Sequence, residues 1–241
     1  AFQAAWHLGR SLLIIAPGRL EADSIYEDMV TFAGEENCIM FPAWEVLPDD
    51  TMSPADDIVA ERMNALERIH DLHESATPVY VVAPVRSFMQ HVIGRRQLQE
   101  NSFRIACGET VPMEVVIDKL IHLGYVREPM VEQRGEFSIR GGIMDIFPIS
   151  AELPFRMEYF DDEIESMRLF EPETQRSVTR VESMRVPPRS EKAGLTRSLR
   201  DRNLETLAAY LPADTLVVLD ESQAITEQAV QVSSQCADSP Y

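Results

Sequence analysis

Lysine is almost missing from this chain, with only Lys119 and Lys192 among 241 residues. Nearly all positive charge is therefore arginine, whose rigid five-donor fork favours specific carboxylate pairing and protein interfaces over diffuse attraction. Positive charge is itself scarce: 22 basic against 40 acidic residues leave a formal net charge of −18. A surface of that sign repels a phosphate backbone, which argues against the chain gripping DNA by itself. Cysteine is sparse too. Cys38, Cys107 and Cys236 are far apart, odd in number and without C-x-x-C spacing. They predict free thiols in a reducing cytoplasm, with neither a disulfide framework nor a metal site. No apolar run approaches the length that crosses a bilayer, so no membrane partner is expected. The chain opens Ala-Phe-Gln-Ala-Ala-Trp, without Met or a basic segment. That start is expected of a piece of a longer protein with no signal peptide.

Reaction chemistry is equally hard to find. No Ser/His/Asp or Cys/His arrangement stands out, and no G-x-G-x-x-G follows a strand. Thr215-Leu-Val-Val-Leu-Asp-Glu-Ser-Gln223 resembles a Walker B strand, where apolar residues deliver an Asp-Glu pair to Mg²⁺ and water. Such chemistry needs a phosphate cradle ending in Gly-Lys-Ser/Thr, and the chain has no Gly-Lys dipeptide. Asp220-Glu221 is then either a relic or a cap for a following helix. No nucleotide hydrolysis and no cofactor are expected of these residues. His70-x-x-His73 puts two imidazoles on one helix face, but a zinc site needs three or four ligands; a solvated helix end is the better reading. Asp161-Asp162-Glu163 reads as acidic turn chemistry.

Apolar material is ample. A hydrophobic fraction of 45% over 241 residues is enough for one large or two modest domains. Residues 1–105 read as α/β, with strands at Ser11–Ala16, Cys38–Phe41 and Pro78–Ala83. Helices are predicted at Leu20–Ala33 (Leu20, Ile25, Met29 and Phe32 inward), at 54–73 and near Arg86–Ile93. The second begins at a Ser53 cap with Asp56-Asp57 in its first turn. Continuous apolar strands alternating with helices predict a parallel sheet covered on both faces. Residues 106–186 change texture. One amphipathic helix, Pro112–Gly124 with Val115, Val116, Leu120 and Leu123 inward, precedes an antiparallel series: Phe137–Arg140, Ile143–Phe147, Phe155–Phe160, Ile164–Phe170 and Ser177–Val186. This is a small α+β domain. Residues 187–241 hold a Pro-rich linker, a helix near Leu195–Tyr210 and a strand at Thr215–Leu219. The return of α/β texture there predicts that the α+β domain is inserted.

Strand parity singles out one surface. Phe155, Met157 and Tyr159 point one way, and Arg156, Glu158 and Phe160 the other. Phe137 and Ile139 take the core, leaving Glu136, Ser138 and Arg140 outside. If the strands are neighbours, Arg140, Arg156 and Phe160 form a patch of two guanidinium groups and a ring, residue types enriched at interface hot spots. Parity alone allows a second arrangement, with Phe160 packed under a helix and both arginines paired with Glu136, Glu158 or Glu163.

The segments Leu13-Ile-Ile-Ala-Pro17, Phe41-Pro-Ala-Trp-Glu-Val-Leu-Pro48, Ser53-Pro54, Gly124-Tyr125, Gly135-Glu-Phe-Ser-Ile-Arg-Gly141, Asp145-Ile-Phe-Pro148 and Glu152-Leu-Pro-Phe-Arg-Met-Glu-Tyr-Phe-Asp-Asp-Glu163 resemble the N-terminal, UvrB-like region of the bacterial transcription-repair coupling factors (Mfd). The resemblance covers most of the chain and weakens after the linker. UvrB itself carries an aromatic-rich hairpin after its second strand, and Phe41–Pro54 offers only Phe41 and Trp44. The resemblance implies a helicase-like motor domain without its own nucleotide site, carrying an inserted domain that docks onto UvrA. Motif position carries the UvrA-contacting residues over to Arg140, Arg156 and Phe160, and Asp220-Glu-Ser222 to the motif II position. It also implies a parent that binds RNA polymerase and translocates on DNA with ATP and Mg²⁺ through other domains, and that covers this surface while at rest. One alternative is the N-terminal part of UvrB or another helicase-type NTPase, with catalytic residues outside these 241; it predicts Gly-Lys-Ser/Thr immediately before Ala1. Another is a small-ligand α/β binding protein using the turns at Pro17-Gly18 and Pro84.

Overall fold

A computed structural model describes residues 2–46, 54–191 and 205–235. The chain divides into two compact units, Ala1–Arg95 with Leu195–Tyr241, and Arg96–Gly194.

The first unit opens with α1 (Phe2–Leu8), β1 (Leu12–Ala16), α2 (Arg19–Ala33), β2 (Cys38–Met40), α3 (Asp56–Glu74), β3 (Tyr80–Pro84), α4 (Val85–Met89) and β4 (His91–Val92). It resumes after the second unit with β13 (Glu205–Thr206), β14 (Leu216–Leu219) and α7 (Ser222–Gln235). A four-stranded parallel sheet runs in the order β14-β1-β3-β2. Every residue of β1 and β3 is buried, as unbroken apolar strands require when helices cover both faces. Helix α2 turns Ala22, Met29 and Ala33 inward. Leu20 and Phe32, expected on that face, are exposed at 80% and 69%. Small residues at i and i+11, with Met29 at i+7 on the same stripe, let the helix lie close to the sheet, and Leu20 falls about 200° away from Ala22.

Asp56 and Asp57 occupy the first turn of α3, where negative charge meets the positive end of the helix dipole. The Ser53 cap lies outside the described residues, as do Lys192, Cys236 and residues 195–204 of the helix expected at Leu195–Tyr210. Its described remainder is β13 followed by a 3₁₀ turn at Leu207–Tyr210, with Glu205 paired to Val92. The helix expected at Arg86–Ile93 stops at Met89 because His91–Val92 is used as that partner strand. His70 is buried, on the inward stripe of α3 where a solvated helix end was expected. Cys38 is fully buried, and burial pushes its thiol up to about 11.

Arg62 on α3 is sealed inside this unit at 0% exposure. Its guanidinium lies over the rings of Phe41 and Trp44, 4.4 and 5.1 Å from their centroids, and donates to the Pro42 carbonyl at 2.8 Å. The Phe41-Pro-Ala-Trp motif is thus a cage for a buried charge, which must be paired or hydrogen-bonded to be tolerated there.

The second unit holds most of α5 (Arg95–Asn101), then β5 (Phe103–Ala106), α6 (Met113–His122), β6 (Val126–Arg127), β7 (Glu136–Arg140), β8 (Ile143–Ile146), β9 (Phe155–Phe160), β10 (Glu163–Phe170), β11 (Ser177–Arg180) and β12 (Ser183–Val186). Six strands form a sheet in the order β11-β10-β9-β8-β7-β6, antiparallel except where β6 runs parallel to β7. The segment expected as one strand at Ser177–Val186 splits. β11 stays in the sheet, while β12 leaves it to pair with β5. That pairing draws residues 103–106 into this unit.

Val116 and Leu120 of α6 pack with Phe137, Met144, Met157 and Met167 on one face of the sheet. Val115, expected inward, is 42% exposed. Gly124 follows α6 with φ 87°, the left-handed conformation that ends many helices at glycine. Tyr159 reaches the same core, and its hydroxyl is buried without a hydrogen-bond partner among the described residues.

Two outcomes follow from this core. Leu120→Ala is expected to lower unfolding stability by about 2–5 kcal/mol in urea titration, the usual cost of emptying a fully buried leucine site. Burial, helped by the charge of Asp162, pushes the Tyr159 phenol up to about 12. A raised phenol value means the folded state favours the neutral form. Its stabilising contribution is present below pH ~10 and is lost as pH rises through the folded value. Ultraviolet difference titration of wild type against Tyr159→Phe should show one phenol ionising late; an ordinary titration near pH 10 would contradict this packing.

Candidate functional site

The second face of the six-stranded sheet is built around two tight turns. Gly141-Gly142 joins β7 to β8, with Arg140 opposite Ile143, and Asp161-Asp162 joins β9 to β10, with Phe160 opposite Glu163. Gly141 and Asp161 adopt φ of 60° and 51°, which glycine and short acidic residues accept most readily. Gly142 serves close approach: a Cβ there would stand 3.1 Å from the Tyr159 carbonyl oxygen. The register Ile143 opposite Glu158 places both turns at one end of the sheet. Arg140 and Phe160 therefore project from the same end, on strands two spacings or about 10 Å apart.

Between them sits Asp145, fully buried and directly opposite Arg156. Arg156 grips it bidentately: Nε donates to Oδ1 at 2.7 Å and Nη2 to Oδ2 at 2.8 Å. Nη2 also donates to Gln175 Oε1 at 2.9 Å, and Nη1 to the Gln175 carbonyl at 3.2 Å. The same guanidinium lies 4.3 Å above the buried Phe170 ring. Arg140 Nη2 donates to Asp145 Oδ2 at 2.7 Å. The Asp145 hydrogen bond holds Arg156 protonated beyond its ordinary range, against the opposing effect of burial.

Arg140, Arg156 and Phe160 thus share one face, and their surroundings differ. The Arg140 side chain is 45% exposed and that of Arg156 only 16%, while Phe160 is 69% exposed. Phe160 is not packed under a helix, and the arginines pair with Asp145. Glu158 accepts from Ser166 Oγ at 2.6 Å and lies 3.5 Å from Arg168. Glu136 accepts the Glu132 and Gln133 backbone N–H groups. Ser138, expected outside with Arg140, is 1% exposed, because it lies opposite the buried Asp145. Parity reasoning missed Asp145, Gln175 and Phe170. A usable signal existed for the first: a lone carboxylate in the apolar run Ile-Met-Asp-Ile, on the polar parity.

The other expected positions lie elsewhere. Asp220 and Glu221 stand at the carboxyl end of β14, and the Glu221 carbonyl accepts from the Ile225 N–H at the start of α7. A crevice of about 280 Å³ opens at the carboxyl ends of the parallel strands, between Pro17-Gly18, Trp44, Pro84 and Arg86. Among the described residues, no group of three or more His, Cys, Asp or Glu could hold a metal ion. No helix among them is long and apolar enough to cross a membrane.

Residues 103–191, which include this whole face, match the UvrB interaction domain family. The chain is 37% identical over 177 residues to the transcription-repair-coupling factor of Mycobacterium bovis, covering 72% of the chain and 14% of that protein. It is 30% identical over 179 residues to the Haemophilus influenzae transcription-repair-coupling factor, and 29% identical over 201 residues to one from Staphylococcus aureus. These alignments cover 74% and 83% of the chain, against 15% and 17% of the relatives. Over most of its length the chain is thus similar to one stretch of the transcription-repair-coupling factor family. It corresponds to the UvrB-like region of that family and spans about one seventh of the length of these relatives.

Stability should separate the buried from the exposed members of the face. Arg156→Met leaves Asp145 with only the half-exposed Arg140, and is expected to cost about 3 kcal/mol of unfolding free energy, the low end for breaking a buried pair. Phe160→Ala should change stability by less than about 0.5 kcal/mol, as for other exposed positions. Urea denaturation of the two variants checks the contrast; equal losses would contradict it.

Proposed function

We propose that this chain is the UvrA-recruiting module of a transcription-coupled repair factor, and that it docks through the polar face of the six-stranded sheet. The observation that carries this reading is a large aromatic ring left exposed beside a tethered, half-exposed guanidinium, inside a UvrB interaction domain. An exposed phenylalanine on a strand end gains most by entering an apolar pocket on another protein. Arg140 gives Asp145 one hydrogen bond through Nη2 and its side chain is 45% exposed, which leaves room for a bidentate grip on a carboxylate of UvrA. Arg156, committed to Asp145 and Gln175, forms the floor of the site.

In the same reading the parallel-sheet unit is a motor-type domain, and these 241 residues hold no Gly-Lys pair to cradle phosphates. ATP, Mg²⁺, RNA polymerase and DNA are then matters for other domains of a cytoplasmic parent protein. The resting parent covers the docking face with another of its own segments, because an exposed ring and guanidinium invite contacts as soon as they are free.

Calorimetry of the chain against purified UvrA tests the reading. Phe160→Ala should weaken binding about 30-fold, the consequence of losing about 2 kcal/mol at a hot spot. Arg140→Glu should weaken it at least tenfold, with the melting temperature of both variants kept. Wild-type affinity in both variants, or no binding by the wild-type chain, rejects the assignment.

A further inference from the structure

We propose that Asp145 is a positioning residue for the docking face: its buried carboxylate holds the Arg140 guanidinium in the orientation that meets the partner. This rests on the UvrA reading above and adds to it a residue that contacts no partner itself. Asp145 has no exposed surface, so it reaches UvrA only through the groups it holds.

Three observations carry the inference. First, the carboxylate is fixed before Arg140 meets it. Arg156 engages both oxygens, at 2.7 and 2.8 Å, and is itself pinned by Gln175 and by the Phe170 ring. Oδ2 therefore has a defined place and direction. Second, Arg140 comes from a diagonal position on β7, opposite Ile143 and not opposite Asp145. Diagonal neighbours lie within reach of long side chains, so the 2.7 Å bond to Oδ2 selects one arrangement of a side chain with many rotamers. Holding that arrangement in the free chain removes an ordering cost from binding. Third, the charges require a mediator. Two guanidinium groups on adjacent rows repel, and one carboxylate between them leaves this trio with a net charge of +1, while Glu158 on the same face is paired with Arg168.

The competing view is that Asp145 only neutralises Arg156 inside the sheet. Asp145→Asn tests the two, because it removes the negative charge between the guanidinium groups and replaces one acceptor oxygen by an NH₂ group. In either place the amide nitrogen meets a guanidinium donor to donor, and the two guanidinium groups then repel with no carboxylate between them, which releases the half-exposed Arg140. UvrA binding is measured by calorimetry for Asp145→Asn placed in the wild-type chain, in Phe160→Leu and in Arg140→Ala. A positioning role predicts about a tenfold loss in the first two backgrounds and less than a twofold loss in the third, where the group being positioned is already gone. The same loss in all three backgrounds, or no loss in the first, overturns the proposal.

An independent readout needs no partner. In nitrogen-15 relaxation of the free chain, the Arg140 Nε–H should be ordered in wild type and mobile in Asp145→Asn. An Arg140 already mobile in wild type overturns the proposal even if UvrA binds. Should wild type not bind UvrA, the recruitment reading falls, and the positioning role is then judged on this relaxation contrast. If Asp145→Asn does not fold, Asp145→Glu, which keeps the charge and moves it outward by one methylene, is measured in the same three backgrounds and by the same relaxation contrast. The losses expected of it, and the results that overturn the proposal, are unchanged.

Discussion

A carboxylate with no exposed surface, placed between two guanidinium groups, organises the polar face of the six-stranded sheet. Burying a charge is costly unless opposite charge and hydrogen bonds replace the lost water. Asp145 meets that condition through Arg156 and Arg140. Meeting it fixes much else: Arg156 must lie flat on Phe170, Gln175 must turn both its carbonyl and its side chain toward that arginine, and Arg140 must lean inward from the β7 turn. The network leaves Phe160 outside. A ring left 69% exposed stands beside charges that are already arranged, and that contrast distinguishes this face from an ordinary solvated sheet surface.

The first unit handles buried charge in another way and to another end. Arg62 has two aromatic rings around it and a backbone carbonyl in front of it. The enclosure is complete, so it stabilises and presents nothing. Arg140 differs in one respect: its carboxylate partner is buried while its guanidinium is not. The two arginines thus differ in their position relative to the surface: Arg62 is sealed, and the Arg140 side chain is 45% exposed.

Much of this organisation was readable in the residues. Leu12–Ala16 and Tyr80–Pro84 are apolar without interruption, and they became the centre of the parallel sheet for the reason such runs usually do. The alternation in Phe155–Phe160 placed Met157 inside and Phe160 outside, as found. Periodicity failed where size or distant pairing intervened. In α2 the small residues Ala22 and Ala33 were chosen for the interior over Leu20 and Phe32, since close helix–sheet contact limits side-chain volume. In Ser177–Val186 a partner some eighty residues earlier in the chain, β5, drew the second half away.

By itself the sequence determined the alternation of faces, the type of each unit, the scarcity of lysine that leaves arginine as almost the whole positive charge, and the family resemblance. Those properties follow from local periodicity and composition, which act over a few residues. Only the tertiary structure decided that Asp145 would lie within reach of Arg140 and Arg156, that Gln175 would close over the latter, and that Ser138 would be buried beside them. These are questions of strand register and diagonal contact. They depend on which strands become neighbours, and no spacing along a single strand encodes that.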